Sequence, residues 1–336
     1  MNAELLDLVR QAGAETGGGW RDVLLLENYA PVPTLPRHTE PHWQRGFNLA
    51  ILVGRTPAYF VKCRPAHDPV LQRAAATRSA LAGHRPGGVS VSDARFASSN
   101  RISVEVTAFL RGPTFGMESR RAELTSLQRR IAGLLASHAG LARIARRECA
   151  WLRPPADSMT LEAASVANVA YLQEHGIVEH EAAAALLAAL SRSGTVTPLP
   201  QHGDLWSQNL LVVHGDVWLI DFEEYGDVQV PLFDDLTLVL ATIARRSGGG
   251  REGLRRFLSA DAEGRAWRRL VRDRAAAERI EPEQLDGILV FYLTQMAAQI
   301  HRRGGMTYLR PHRAALSHAA ERLLAGARGL FEGGSQ

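Results

Sequence analysis

The sequence predicts an α+β chain of two lobes, a small antiparallel-sheet lobe over residues 1–110 and a larger, mainly helical lobe over residues 111–336. Three observations carry this reading. Short β-rich runs bounded by turn residues crowd the first third, helical spacing of apolar residues dominates after residue 117, and Arg111, Gly112 and Pro113 interrupt the pattern between them. A length of 336 residues allows two cores, and 46% hydrophobic with 22% charged residues describes a globular chain rather than a disordered one.

The first strand is expected in DVLLLENYAP (22–31) and the second in NLAILV (48–53). The turn residues GRTP lead from there into AYFVKC, a hairpin that sets Lys62 near the end of its second strand. A helix follows over 68–84, with Asp68 as N-cap and Pro69 in the first turn. Strands are expected in VSVSDARFA (89–97) and ISVEVTAFL (102–110), then a hinge near residues 107–113. Leu124, Leu127, Ile131, Leu134 and Leu135 predict a helix over 117–139, and further helices are expected over 160–175 and 179–191. NLLVV and VWLID flank His214, Gly215 and Asp216 as a second hairpin. Helices close the chain at about 233–246, 251–259, 282–302 and 311–331, and no internal repeat is present.

Charge is distributed unevenly. Of 39 basic side chains, 38 are arginine and one is lysine, Lys62. A guanidinium is a broad planar fork, whereas an ammonium is a compact point charge suited to phosphate oxygens in a tight space. One lysine kept at the end of an apolar strand therefore fits a phosphate-gripping role, set against simple drift of a surface residue. From Arg245 to Arg279, eleven arginines face five acids, which fits a solvated helical face or an attractor of anions. Basic and aromatic residues do not interleave, so nucleic acid is not an expected partner. No apolar run reaches 18 residues, and the first residues, MNAELLDLVRQAG, lack the apolar core of a secretion signal. Cys63 and Cys149 are too few for a disulfide framework, and a cytoplasmic protein is expected.

The densest chemistry lies in QHGDLWSQNLLVVHGDVWLIDFEEYG, residues 201–226. Asp204 and Asn209 share a loop before a strand, and the hairpin returns Asp221 beside that loop. Two carboxylates and an amide oxygen are the hard donors that Mg²⁺ takes alongside phosphates.

The run H-G-D-L-x-x-x-N, a hairpin and then I-D-F resembles the catalytic loop and metal-binding motif of the aminoglycoside phosphotransferase and choline kinase-like family, whose fold is protein-kinase-like. The order of strand lysine, helix, hinge strand, loop and D-F is kept from about residue 20 to 245. This resemblance implies an ATP- and Mg²⁺-dependent transfer of phosphate, with GTP a possible donor, to a small hydroxylated acceptor. It implies that Asp204 accepts or orients the acceptor proton, Asn209 and Asp221 hold Mg²⁺, and Lys62 grips the α- and β-phosphates. It further implies that the backbone of Thr107, Ala108, Phe109 and Leu110 faces the adenine edge, that His202 braces the loop, and that Asp235 steadies it from the following helix.

Two features depart from the family pattern. The helix over 68–84 has no glutamate to pair Lys62, leaving Gln72 as a neutral substitute. No G-x-G-x-x-G occurs, Gly17 to Gly19 precede the strands, and PVPTLPRHTEPHWQRGF is long and proline-rich. Glu223, Glu224 and Asp227 favour a cationic acceptor, whereas the arginine-rich segment favours an anionic one. A choline-, amino-alcohol- or sugar-kinase-like enzyme is the alternative within the same chemistry. A non-catalytic nucleotide-binding pseudokinase is the alternative outside it.

Overall fold

The computed structural model describes residues 7–9, 11–12, 22–26, 47–53, 56–119, 122–154, 156–247, 250–304, 306–325 and 331. Five strands, β1 (Asp22–Leu26), β2 (Phe47–Val53), β3 (Thr56–Pro65), β5 (Ala94–Ser98) and β6 (Ile102–Ala108), form an antiparallel sheet in the order β1-β2-β3-β6-β5. Lys62 lies on β3, flanked by Asn48 of β2 and Glu105 of β6. After β3 the chain turns into α1 (Pro69–Leu81), where Asp68 Oδ1 accepts the N–H groups of Val70 at 2.9 Å and Leu71 at 3.2 Å. That satisfies two of the amides a helix start leaves unpaired, as the Asp-Pro pair predicts.

One expected strand is two. VSVSDARFA breaks at Ser92 and Asp93 into β4 (Val89–Val91) and β5, and β4 leaves the large sheet. It pairs in parallel with β10 (Asp216–Leu219), Val89 against Val217, completing a three-stranded sheet β4-β10-β9 with β9 (Leu210–Val213). Alternation identifies a strand but not its partner, so this link to the hairpin is invisible in the sequence.

The helix expected over 117–139 is also two, α2 (Phe115–Ser119) and α3 (Leu124–Glu148). Glu123 interrupts it, its carboxylate accepting the N–H groups of Thr125 and Ser126 at 2.8 Å each. Glutamate is not among the favoured N-caps, so the apolar spacing reads through the break. The helices α4 (Leu161–Glu174), α5 (His180–Arg192), α6 (Phe233–Ser247), α7 (Gly250–Leu258) and α9 (Pro282–Arg302) stand within two residues of expectation. β7 (Met159–Thr160) and β8 (Thr195–Val196) form a small separate pair. Between α7 and α9 lies α8 (Ala262–Ala277), which the arginine-rich composition concealed; Asp261 caps it and Trp267 and Val271 are fully buried. The last helix, α10 (Met306–Leu324), starts five residues before the expected 311 and runs through Pro311 instead of beginning there.

A continuous core joins the helices around α9, with Ile288, Leu289, Val290 and Leu293 at its centre, and reaches Leu81, Val89 and Val91. A smaller cluster of Leu8, Val9, Ala12, Val61, Cys63, Val104 and Val106 fills one face of β3 and β6. Each buried Val, Leu or Ile among them contributes roughly 1.5–3 kcal/mol by leaving water. Together the two clusters hold Lys62 and the 201–226 hairpin as fixed positions. Among the described residues no helix is long and apolar enough to cross a membrane.

Candidate active site

The loop before β9 is built by its own hydrogen bonds. Trp206 N–H donates to Asp204 O and Asn209 N–H to Trp206 O, both at 2.9 Å, while Asn209 Nδ2 donates to Asp204 O at 2.8 Å and Oδ2 at 3.0 Å. Gly203 has φ +84, and a Cβ there would lie 2.9 Å from the Glu224 carbonyl oxygen, so both backbone angle and space require glycine. His202 donates from Nε2 to Ile220 O at 2.9 Å, and burial pushes its pKa down to about 4, so a neutral ring braces the loop. Ile220 N–H in turn donates to Asn209 O at 3.0 Å. The next residue is Asp221, held in the left-handed region at φ +65, which aspartate tolerates better than most residues.

The carboxylate under the loop is Asp234, not Asp235. Asp234 accepts the N–H groups of His202 at 2.5 Å and Gly203 at 3.1 Å. Burial, with Asp235 adding to it, pushes its pKa up to about 8. His138 Nε2 lies 3.2 Å away but burial lowers that ring to about 3, so the contact is neutral and not an ion pair. Asp235, one residue on and so about 100° around α6, instead accepts from Arg274 Nε at 3.0 Å.

Lys62 Nζ donates to Asp221 Oδ1 at 2.6 Å and to Glu223 Oε1 at 2.9 Å. Burial alone would lower its pKa, but Asp221, Glu223 and Glu105 together outweigh burial and raise it. Burial would likewise raise Asp221, and the Lys62 ammonium reverses this and holds it below the usual carboxylate range. For Asp204, burial, then Glu224 and Asp221, push the carboxyl from its ordinary 3.8 up to about 7. The structure thus brings Lys62, Asp204, Asn209 and Asp221 into one network from three separate stretches of chain.

In place of the glutamate missing from α1, Glu223 hydrogen-bonds Lys62, and α1 carries a cation. α1 supplies a buried arginine, Arg78, whose Nη1 lies 3.3 Å from Glu105 Oε1 on β6, the residue opposite Lys62. Arg78 also donates to Ser92 and lies 5.6 Å from the centre of the Phe222 ring, next to Asp221. Gln72 is exposed and takes no part.

At the hinge, Thr107 is paired on both sides, with Phe60 and Ala94, and Phe109 N–H donates to Ala58 O at 2.8 Å. Successive residues of a strand present their amides to opposite sides. Ala108, exposed and one residue past the last β5 partner, therefore presents its backbone at an open edge, with Leu110 half-buried beyond it. Gly112 sits so close to β9 that a Cβ would fall 2.0 Å from Val212 O. Val212 N–H donates to Pro113 O at 2.9 Å and Gly116 N–H to Ser207 O at 3.1 Å, stitching the hinge to the loop of Asp204. Gly17 to Gly19 and residues 31–46 of the proline-rich stretch lie outside the described residues.

Residues 47–271 match the model of the phosphotransferase enzyme family. The chain belongs to that family. No curated protein matches the chain closely enough to count as a relative. Solved structures show the fold this phosphotransferase shares. A thermostable mutant of the aminoglycoside phosphotransferase APH(4)-Ia, complexed with AMP-PNP and hygromycin B, matches 95% of this chain and 99% of its own at 12% identity, TM-score 0.58. The GDP and kanamycin complex of APH(2")-IIIa matches 96% and 99% at 10% identity, TM-score 0.52. A putative fructosamine-3-kinase from Haemophilus somnus matches 95% and 97% at 13% identity, TM-score 0.55. In this phosphotransferase, sequence reasoning missed Arg78, Glu105 and Asp234. The Asp234–Asp235 doublet offered two choices on one helix turn, and only packing selects between them.

Proposed function

We propose that this phosphotransferase moves the γ-phosphate of ATP, with GTP as a possible alternative donor, to a hydroxyl of a small molecule in a Mg²⁺-dependent reaction. The observation that carries the reading is the convergence of Asp204 and Asn209 on one loop with Asp221, joined to Lys62 by a 2.6 Å bond. In this reading Asp204 accepts the proton of the acceptor hydroxyl, and Asn209 Nδ2 holds its carboxylate in place. A base poised near neutrality suits that task. Lys62 grips the α- and β-phosphates, and the open backbone at Ala108 and Leu110 meets the adenine edge. The donor set fits Mg²⁺: Asn209 commits its amide nitrogen to Asp204 and no described residue donates to its Oδ1, while Asp221 commits only Oδ1 to Lys62. Bound there, the ion would neutralise phosphate charge. Positioning and charge neutralisation then carry the transfer, which needs little covalent chemistry from protein.

The acids proposed for a cationic acceptor are each matched within the chain: Glu223 by Lys62 and Arg64, Glu224 by Arg303, and Asp227 by Arg73 at 3.9 Å. A cationic acceptor would meet these acids in competition with those contacts, and a neutral sugar would leave them in place. The missing helix glutamate loses its weight as support for a pseudokinase, since three carboxylates already surround Lys62.

Calorimetry of ATP with and without Mg²⁺, on wild type and on Asp221→Ala, tests the reading. Binding that needs Mg²⁺ and weakens in the variant supports it, and absence of ATP and GTP binding in wild type refutes it. Lys62→Arg should lower kcat/KM for nucleotide by about 10²-fold, because a fork displaced by an ångström cannot replace the point contact. Full activity in that variant would mean that the lone lysine is not a phosphate ligand.

A further inference from the structure

A second cleft, sharing no lining residue with the site above, encloses about 440 Å³ between the last turn of α3, residues 195–199, Pro231 and the turn from α8 to α9. Four arginines line it, Arg143, Arg146, Arg147 and Arg279, against one carboxylate, Glu278. That carboxylate is already committed, accepting from Arg274 Nη2 at 2.9 Å and from Arg143 Nη2 at 2.6 Å. Arg146 Nη1 donates to Pro198 O at 3.0 Å, which fixes its guanidinium at the cleft wall. Arg147 and Arg279 have no hydrogen-bond or ion-pair partner among the described side chains. Arg279 also occupies a left-handed position, φ +58, just past the end of α8, where helices favour glycine or asparagine.

Helix C-termini attract cations through the macrodipole, which accounts for single arginines at the ends of α3 and α8. It does not account for cations from two helices meeting around one walled space with two guanidiniums uncommitted. Guanidinium forks bind phosphate and carboxylate in pairs of parallel hydrogen bonds. The neutral lining adds the hydroxyls of Thr195 and Thr197, suited to the remaining oxygens of such a group, while Gln284 is engaged with Thr195 O at 2.5 Å and Glu281 N–H at 2.7 Å. We propose that this cleft binds a small polyanion, a molecule carrying two or more phosphate or carboxylate groups. Its walls run directly into the loop of Asp204 and the start of α6: Leu199 N–H donates to Gln229 O and Gln201 N–H to Val228 O, both at 2.9 Å.

The test uses inorganic pyrophosphate as probe, titrated calorimetrically at constant ionic strength into the full chain carrying Lys62→Met, which removes the phosphate-facing cation of the candidate active site. Saturable one-to-one binding tighter than about 1 mM is expected. Adding Arg147→Gln and Arg279→Gln, both exposed and so compatible with the fold, should weaken it at least about tenfold. An unchanged melting temperature in that variant excludes unfolding as the cause. No saturable binding, affinity unchanged by the two arginine substitutions, or equal binding of sulfate would each overturn the proposal. Binding is read without phosphate transfer, so failure here leaves the proposed catalytic function standing.

Discussion

Asp204→Asn is expected to lower kcat by about 10³-fold, the scale of a lost general base, with nucleotide affinity nearly unchanged. The amide keeps the shape of the carboxylate and can still accept from Asn209 Nδ2, now 3.0 Å from Asp204 Oδ2, but it cannot take a proton. Lys62, Asn209 and Asp221 are untouched, so nucleotide binding by calorimetry should match wild type. Stability should hold or rise. The folded Asp204 keeps its proton up to about 7 instead of the ordinary 3.8. A raised carboxylate pKa means that the ionised group opposes folding, an opposition that grows between those two values and persists above them. The neutral amide carries no such penalty, a trade of stability for reactivity common at active sites. Transfer within tenfold of wild type would remove Asp204 from the role of base.

Arg78→Met should destabilise the protein by about 3–5 kcal/mol, because it removes the buried cation paired with Glu105 and leaves that carboxylate only the more distant Lys62 ammonium. Both partners are nearly inaccessible, Arg78 at 3% and Glu105 at 2% exposed. The double variant Arg78→Met with Glu105→Leu removes both charges and should recover most of that loss, since a well-packed apolar pair often matches a buried ion pair. Urea unfolding of the two single variants and the double closes the cycle. Simple addition of the two single losses would show that the 3.3 Å contact carries no coupling. Because Arg78 also lies over Phe222 and Glu105 opposes Lys62, the same substitution should raise KM for nucleotide more than it lowers kcat.

The chemistry of the site was legible because it is local. His202, Asp204 and Asn209 fall within eight residues, and the hairpin that returns Asp221 is marked by two apolar runs around a glycine turn. Short loop closure leaves a sequence pattern of this kind few alternative geometries. Lys62 stood out by composition alone. The Asp68 cap and Pro69 likewise mark the start of α1 by side-chain chemistry that acts within one turn.

What tertiary structure decided are the partners. Parallel pairing of β4 with β10, the choice of Asp234 over Asp235, and the Arg78–Glu105 pair each join residues 27 to 128 positions apart. Alternation, helical spacing and charge type specify which face a residue presents. They do not specify what is packed against that face. The carboxylates that hydrogen-bond Lys62 therefore come from residues 221 and 223 instead of from α1, and α1 contributes Arg78 to a separate buried pair with Glu105 on β6. A buried charge must find a partner somewhere in the fold, and only the folded chain determines where.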